Sequence, residues 1–405
     1  MDIIPDLPGN LPIKGRGAIS NPTGRYERET RQRTDDGWTR PEPEPGPHSE
    51  RRPNHETQIQ TKDGTKILAE PAEHLDENSC SEKPRNPDTR FLVDASRTVI
   101  TRNTSPDVPF DRSINPYRGC EHGCIYCFAR PTHAWLGLSP GMDFETRIFT
   151  KPDAPKRLAH ELGRKSYKCA PIALGTNTDP YQPIERRLRI TRGILQVLSD
   201  HNHPVTIVSK SDGVLKDIDL LSDMAARNLV QVHLSITSLD GGLTRKLEPR
   251  TPTPAKRLNA IKELADANIP VGVMAAPMIP ALNDHELEAI LAAAHNAGAI
   301  TAGYILLRLP LEVKELFAQW LRAHYPDREA KVLNLVRETR GGRAGKLNDS
   351  DFKQRMSGKG VYAEMIANRF AMTMARLGMG RENLGSLDTG HFTPPSAGGD
   401  QLALF

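Results

Sequence analysis

RGCEHGCIYCFAR, residues 118–130, is the stretch of sequence that decides how the chain folds and what chemistry it supports. It places Cys120, Cys124 and Cys127 in a C-x3-C-x2-C pattern and so holds three of the chain's five cysteines. Soft thiolates this close together converge on one inorganic centre, with iron–sulfur, zinc or copper(I) as the choices. Gly119 and Gly123 let the backbone wrap tightly around such a centre.

The spacing of the cysteines indicates which centre it is. A structural zinc ion takes four ligands, usually in CxxC pairs with a histidine at regular spacing, and neither His122 nor His133 completes that pattern. A 4Fe–4S cluster held by three cysteines leaves one iron without a protein ligand, open to a cofactor or substrate. The pattern therefore favours a 4Fe–4S cluster, with zinc as the alternative. Cys80 and Cys169 have no comparable partner.

Beyond this loop, short apolar β-rich runs alternate with segments of helical periodicity and make six β-α units. The predicted strands lie near Ser113–Arg118 and at Ala170–Gly175, Pro204–Lys210, Val230–Thr237, Val271–Ile279 and Ala302–Leu309. The predicted helices are Pro155–Tyr167, Ile184–Ser199, Val214–Arg227, Pro254–Asn268, Asp284–Ala297 and those across Glu312–Arg340. The alternation predicts an α/β fold with a parallel sheet and right-handed crossovers. Six units are too few for a complete eight-stranded barrel, which leaves a partial barrel or a doubly wound sheet.

The two ends of the chain differ from this core. Twelve of the 33 prolines lie in residues 1–90, which contain one Trp and no Phe. Such a segment buries too little apolar surface to offset the entropy of ordering it. We therefore predict a mostly disordered extension over residues 1–95, from which Gly15–Pro22 or Ile67–Leu75 could dock on the core. Residues 108–340 form the predicted core, and residues 341–405 a small appendage with a helix at Gly360–Leu377 and a flexible tail.

Composition and charge exclude several classes of protein. The net charge of +4, from 54 basic and 50 acidic residues, argues against a polybasic nucleic-acid arm and leaves room only for a local basic groove. No run of about 18 apolar residues predicts a membrane span, and no secretory signal is visible. Five cysteines are too few for a disulfide scaffold. We expect a cytoplasmic protein.

With Tyr126 before the last cysteine, this loop at the end of the first strand of a six-unit β-α chain resembles the radical S-adenosylmethionine (SAM) superfamily. The resemblance covers about residues 108–340. Five segments within it are similar to the branch related to spore photoproduct lyase, and more narrowly to a bacterial group whose reaction is not established. These segments are GTNTDPYQPIE (175–185), PVTIVSKSD (204–212), HLSITSLD (233–240), LEPRTPTPAKRL (247–258) and PVGVMAAPMIPALND (270–284).

The resemblance implies a partial (β/α)6 TIM-like barrel, a 4Fe–4S cluster on the three cysteines, and SAM on the open iron. An electron from a donor such as flavodoxin or ferredoxin cleaves SAM, and the 5′-deoxyadenosyl radical abstracts a hydrogen atom from the substrate. The implied SAM pocket has polar partners of the amino group, carboxylate and ribose, and an adenine side. Its residues are Thr176, Asn177, Thr178 and Asp179 for the amino group, Lys210, Ser235 and Arg250 for the carboxylate or ribose, and Phe128 with Ala275–Pro277 for the adenine.

The sequence differs from this branch at a position that matters for the reaction. Spore photoproduct lyases use a cysteine near the second-strand polar motif as hydrogen donor, whereas residues 173–185 contain none and Cys169 lies at the other end of that strand. Thymine-dimer repair by that mechanism is therefore not expected. The sequence does not identify the substrate, for which nucleic acid is a candidate. The candidate reactions are a repair-like lyase reaction and a transferase-type reaction. Further residues near the mouth are candidates for contacting it, with packing or helix capping as their alternative: Tyr181, Gln182, Glu185, His133 and Arg308.

The tail and the basic segment Arg337–Lys346 are candidates for contact with nucleic-acid machinery. For the basic segment, phosphate is the candidate partner, and the alternative is a solvated loop, which is usual for Arg/Gly-rich segments. Gln401–Phe405, after a flexible spacer, resembles the pentapeptide by which bacterial DNA repair and replication proteins dock on the sliding clamp. Folding of its apolar side chains onto the protein's own surface is the alternative. For the whole chain, the competing hypothesis is a binding protein associated with DNA machinery, in which an iron–sulfur or zinc centre is purely structural.

Overall fold

The computed structural model describes residues 12–27, 88–342 and 346–395, which are built around a seven-stranded sheet. Six strands are parallel and lie side by side in the order of the chain, and an antiparallel strand flanks the first of them. The parallel strands are β3 (Arg112–Ile114), β6 (Ile172–Leu174), β7 (Val205–Ser209), β8 (Val230–Ser235), β9 (Val271–Met278) and β10 (Thr301–Leu306), and the antiparallel strand is β2 (Ile100–Arg102). Sequential parallel strands with intervening helices are the arrangement of a β/α barrel. Within the described residues β10 does not pair with β2, so the sheet is a partial barrel, as predicted.

Helices cover the sheet because their apolar stripes and the strands bury each other. The helices of the β-α units are α2 (Ala154–Leu162), α4 (Ile190–Asp200), α5 (Ile218–Ala226), α7 (Pro254–Asp266), α8 (Leu287–Asn296), α9 (Val313–His324) and α10 (Pro326–Glu338). In α4, for example, Ile194, Leu195 and Leu198 are fully buried at helical spacing. The strands they cover are buried on both faces, which is the pattern of a parallel sheet between layers.

The predicted helix Ile184–Ser199 is divided in two. It consists of α3 (Glu185–Leu188) and α4, separated by Arg189 in a left-handed conformation with φ of 51°. The Glu185 carboxylate accepts a hydrogen bond from the Thr191 amide at 2.8 Å, and so satisfies one of the free N–H groups at the start of α4. Likewise, the predicted helix Val214–Arg227 is a 3-10 turn, Asp212–Asp217, followed by α5.

A second, small sheet lies beside the first and was not predicted. Its strands are β1 (Arg90–Val93), β5 (Arg147–Thr150) and β4 (Tyr117–Arg118), in that order, with β1 parallel and β4 antiparallel to β5. The short helix α1 (Asp143–Thr146) leads directly into β5. Strands of two to four residues are too short to show periodicity in the sequence. Because β4 runs directly into residue 119, this sheet fixes where the cysteine loop begins.

The structure describes parts of both ends of the chain. Helix α11 (Val361–Leu377) agrees with the expected helix at Gly360–Leu377, and α6 (Gly241–Leu247) is an additional short helix. Gly15–Pro22 packs against the core, with Ala18 fully buried. Ile67–Leu75 and Gln401–Phe405 lie outside the described residues, and the domain boundaries remain predictions. In the described part of the chain, no helix is both long and apolar enough to cross a membrane.

Candidate active site

The cysteine loop follows β4 and turns on two glycines. Gly119 and Gly123 have φ of 79° and 69°, values that side-chain-bearing residues rarely adopt. A Cβ on Gly119 would lie 2.9 Å from the Phe144 carbonyl oxygen, and one on Gly123 would lie 2.8 Å from Glu145 Oε2. Both glycines are therefore required by sterics as well as by backbone angle, as the sequence predicted.

The three thiols of this loop influence one another electrostatically. Burial raises the pKa of Cys124 well above its ordinary value; Glu248 and the other two thiols raise it further, while Lys210 lowers it. Burial also raises the pKa of Cys127 to about 11, with Cys120 adding to the rise and Arg130 opposing it. Because metal ligation requires thiolates, a bound inorganic centre would have to displace these protons.

A fully buried ion pair holds the loop from behind. The Arg130 guanidinium donates to the carbonyl oxygens of Cys124 at 2.9 Å and Gly123 at 3.2 Å, and to Glu145 Oε1 at 2.5 Å. Both side chains are 0% exposed. The same carboxylate accepts the amides of Gly17 at 3.0 Å and Ala18 at 2.8 Å. The N-terminal segment 12–27 is thus tied to the cysteine loop through one carboxylate, a link between residues more than 100 positions apart.

On its other side, the loop is held by the polar segment after β6. Gln182 is fully buried; its Oε1 accepts the Glu121 amide at 2.9 Å and its Nε2 donates to the Gly119 carbonyl at 3.3 Å. The Glu121 carboxylate accepts the Ile184 amide at 2.7 Å and pairs with Arg250 at 3.1 Å. Gln182 therefore positions the loop from within. Arg250 is about 30% exposed, and within the described residues its guanidinium pairs only with Glu121, which leaves most of its five donors for a ligand.

Asp179 organises the ends of β6 and β7. Its carboxylate accepts hydrogen bonds from the Ser209 hydroxyl and the Lys210 amide, both at 2.8 Å, and lies 3.4 Å from His122 Nδ1. Burial would lower the pKa of His122, but Asp179 and Cys120 outweigh it and raise that pKa to about 10. The predicted site residue Asp179 is thus largely occupied by groups of the chain itself.

The most heavily used carboxylate of the site, that of Glu248, was missed from the sequence. It is buried, pairs with Arg257, accepts the hydroxyls of Tyr126 and Thr237, and lies 3.5 Å from Lys210 Nζ. Burial alone would raise the pKa of Glu248, but Arg257 and Lys210 bring it well below its ordinary range. The signal was available in LEPRTP (247–252), where only Arg250 was singled out.

Lys210 connects this network to the mouth of the sheet. Its Nζ is 3.3 Å from the Ala276 carbonyl oxygen and 5.7 Å from the centre of the Tyr126 ring. An ammonium group has three donors, and Glu248 and Ala276 account for two. Lys210 therefore retains capacity for an anionic ligand group. The Ala276 carbonyl, which also accepts from Thr237 at 3.1 Å, is already used within the chain.

The remaining predicted pocket residues differ in whether their side chains are hydrogen-bonded within the chain. The Thr178 hydroxyl donates to the Tyr117 carbonyl at 2.7 Å and so ties β6 to β4. The side chains of Thr176, Asn177 and Ser235 make no hydrogen bond within the described residues, although Ser235 is buried. Phe128 is 45% exposed, and the Arg308 guanidinium lies 5.4 Å from the centre of its ring.

Three candidates for substrate contact prove to have structural partners. The Tyr181 hydroxyl donates to Asp217 at 3.1 Å, Glu185 accepts from Tyr117 and the start of α4, and buried His133 lies 2.9 Å from the Arg147 carbonyl through Nε2. Packing and capping, the stated alternatives, account for all three. Cys169 precedes β6, at the end of the strand opposite the polar segment, so it does not supply the missing cysteine.

The donor set of the site fits an iron–sulfur cluster better than a zinc ion. A structural zinc ion takes four protein ligands, whereas the loop offers three cysteines. A cluster takes each thiolate on a different iron atom, so it suits three cysteines spread along a turning loop. Together, the fold and the site define a partial β/α barrel that holds a three-cysteine loop beside the carboxyl ends of its strands.

Comparison with known proteins agrees with this description. Residues 114–294 match the model of the radical SAM superfamily. An uncharacterized protein of Mycobacterium tuberculosis is 37% identical over 232 residues, 57% of this chain and 68% of the relative. An uncharacterized protein of Methanocaldococcus jannaschii is 29% identical over 214 residues, 53% of this chain and 76% of the relative. Among solved structures, spore photoproduct lyase complexed with dinucleoside spore photoproduct has a TM-score of 0.51 at 14% identity, covering 71% of this chain and 80% of that one.

The chain belongs to the radical SAM superfamily, whose enzymes use a 4Fe–4S cluster and SAM. The resemblance read from the sequence is confirmed, and with it the expectation of an enzyme. The likeness to spore photoproduct lyase concerns the fold. Membership of an enzyme superfamily goes against the competing hypothesis of a purely structural centre.

Proposed function

We propose that this protein cleaves SAM reductively and uses the resulting radical to act on a nucleic-acid substrate. The observation that carries the proposal is the position of Lys210. It lies within electrostatic reach of Cys124 and Cys127, is 3.5 Å from Glu248, and has donor capacity left for a ligand's anionic group. A purely structural centre would not require such a cation at the carboxyl ends of the strands.

Cys120, Cys124 and Cys127 would hold the cluster, and the polar strand ends would hold SAM. Lys210 and Arg250 have spare donors for its carboxylate, while the unbonded side chains of Thr176 and Ser235 are available to its amino group and ribose. Phe128 lies next to the last cysteine for the adenine side. When bound, the reduced cluster and SAM supply a 5′-deoxyadenosyl radical that removes a hydrogen atom from carbon. The chain's own contribution is to position these groups and exclude water from them.

Nucleic acid is the proposed substrate class, and a low-potential donor such as flavodoxin or ferredoxin is the proposed source of the electron. The fold is shared with a lyase whose solved complex contains a dinucleoside spore photoproduct. Because no cysteine occupies residues 173–185, the hydrogen donor in any repair-like reaction would be a different group.

The test is anaerobic reconstitution with iron and sulfide, followed by SAM and dithionite. The wild-type protein should form 5′-deoxyadenosine, and Cys124→Ala should reduce the yield to the level without protein. Cys169→Ala is the matched control, since Cys169 lies at the opposite end of β6 and should not alter the yield. A wild-type yield no higher than that of Cys124→Ala would refute the proposal.

A further inference from the structure

Arg308, just past the end of β10, is a half-buried cation that forms no ion pair with a carboxylate of the described residues. Its Nε is buried and has no hydrogen-bond partner among the described residues, and its nearest polar contact is the Met356 sulfur, 3.6 Å from one terminal nitrogen. No ion pair joins it to any acidic side chain in the part of the chain that the structure describes. Burying a charge is costly unless it is paired, so this site is incomplete by itself.

The residues around Arg308 add further positive charge and offer it no free carboxylate among the described residues. Arg340 is buried, and among the described residues its terminal nitrogens donate only to backbone carbonyls, those of Leu306, Leu307, Gln354 and Arg355. Asp107, the nearby acid, is engaged by Arg355 in a two-point pair at 2.5 and 2.6 Å. Burial lowers the pKa of Arg308, Arg355 lowers it further, and Asp107 only partly compensates. An anion bound from outside would restore the balance.

Two partly exposed rings accompany these arginines. The Arg308 guanidinium lies 5.4 Å from the centre of the Phe128 ring, and that of Arg355 lies 4.5 Å from the centre of the Phe352 ring. Phe128 and Phe352 are 45% and 44% exposed. Guanidinium groups bind phosphate through paired donors, and aromatic rings beside a basic surface stack with bases of single-stranded nucleic acids. Since Phe128 follows Cys127 directly, this surface adjoins the cysteine loop.

We propose that Arg308 binds a phosphate group of a single-stranded nucleic-acid substrate, with the Phe352 ring as a stacking surface for a neighbouring base. Phe128 holds the guanidinium from the side of the loop. The inference rests on the proposed function and specifies its substrate: a strand whose backbone lies along the end of β10 and so presents a sugar or base to the cysteine loop.

The experiment measures binding of fluorescein-labelled 12-nucleotide single strands, one DNA and one RNA, to the anaerobic holoenzyme by fluorescence anisotropy at several salt concentrations. Arg308→Gln should weaken binding about tenfold or more and reduce the slope of log affinity against log salt by roughly 0.7, the value for one lost phosphate contact. Arg308→Lys should keep most of that slope. Phe352→Ala, at an exposed position, should weaken binding roughly fivefold or more through lost stacking.

Arg157→Gln is the matched control, because Arg157 forms an exposed pair with Asp153 at the start of α2 and lies outside this site. The proposal is overturned if wild type binds neither strand, or if Arg308→Gln binds both as tightly as wild type. It is also overturned if Arg308→Gln weakens SAM binding but not strand binding, since the anion would then be the SAM carboxylate. Formation of 5′-deoxyadenosine by wild type is assayed separately and without nucleic acid, so a failure of the proposed function is recognised independently.

Discussion

Two regions near the mouth of the sheet differ in whether their arginines are paired with carboxylates. Around the cysteine loop, Arg130 and Arg257 are fully buried and each faces a fully buried carboxylate, Glu145 or Glu248. At the end of β10, Arg308 and Arg340 have no ion-pair partner within the described residues. The first region is electrostatically complete and positions a loop. The arginines of the second region have no carboxylate partner there, as expected for a site that binds an anion from outside the chain.

Removing Glu145 would leave Arg130 beside the cysteine loop without its carboxylate partner, as Arg308 is at the end of β10. Glu145→Ala should lower the free energy of unfolding by about 3–5 kcal/mol, because Arg130 would be left buried and unpaired and two amides would lose their acceptor. The measurement is urea denaturation of the anaerobic holoenzyme, followed by circular dichroism. Arg308→Gln is the comparison variant and should change the same free energy by less than about 1 kcal/mol, since it leaves no carboxylate behind. Equal losses in the two variants would remove the distinction between the regions.

Glu185 is the opposite case, a buried carboxylate that forms no ion pair with any cation of the described residues. Burial raises the pKa of Glu185 from 4.5 to about 7, so between these pH values the folded state binds a proton that the unfolded state has released. Wild-type stability should therefore fall relative to Glu185→Gln as pH rises from about 4.5 to 7, by about 2–3 kcal/mol, and stay level above it.

The control for this pH dependence is Glu288→Gln. Glu288 pairs with Arg369, whose hydrogen bond lowers the pKa of that carboxyl against the effect of burial. Its contribution to stability is present above pH 4.5 and is lost as the pH falls, so the difference between wild type and Glu288→Gln should be constant from pH 5 to 7. Denaturation at closely spaced pH values measures both profiles. If the difference in stability between wild type and Glu185→Gln does not change with pH, the Glu185 carboxylate stays ionised in the folded protein.

The smallest expected effect concerns the N-terminal segment that Glu145 binds. A Cβ on Gly17 would meet the Gly123 carbonyl oxygen at 1.8 Å, so Gly17→Ala must push the segment away from the cysteine loop. We expect a loss of about 1–2 kcal/mol in stability and faster decay of the cluster's visible absorbance in air. Gly241→Ala is the matched control, because a Cβ there meets nothing within 4 Å. Equal decay rates in the two variants would place the segment outside the region that holds the loop.

Much of the fold could be predicted because its periodicity is local. The five strands from β6 to β10 and most helices were found within a few residues of their observed limits, since a covered parallel strand is a continuous apolar run. The strand predicted near Ser113–Arg118 is two short strands, β3 and β4, which belong to different sheets. The strands β1 and β5 of the small sheet were not predicted, because such short strands carry no pattern. Arg189, which divides a predicted helix, was missed because its conformation depends on Glu185 accepting an amide beyond it.

The sequence by itself determined the cysteine loop, the order of the β-α units and the superfamily, because these follow from spacing along the chain. It also identified Lys210 and Arg308 as candidates. Only the tertiary structure decided what each polar residue does. Gln182 and Asp179 bind the protein itself, Glu248 holds Lys210, and Arg308 is left without a carboxylate. The reason is physical: whether a charged side chain is paired depends on residues far away in the chain, as in the pair of Asp107 and Arg355, which are 248 positions apart and which no local pattern records.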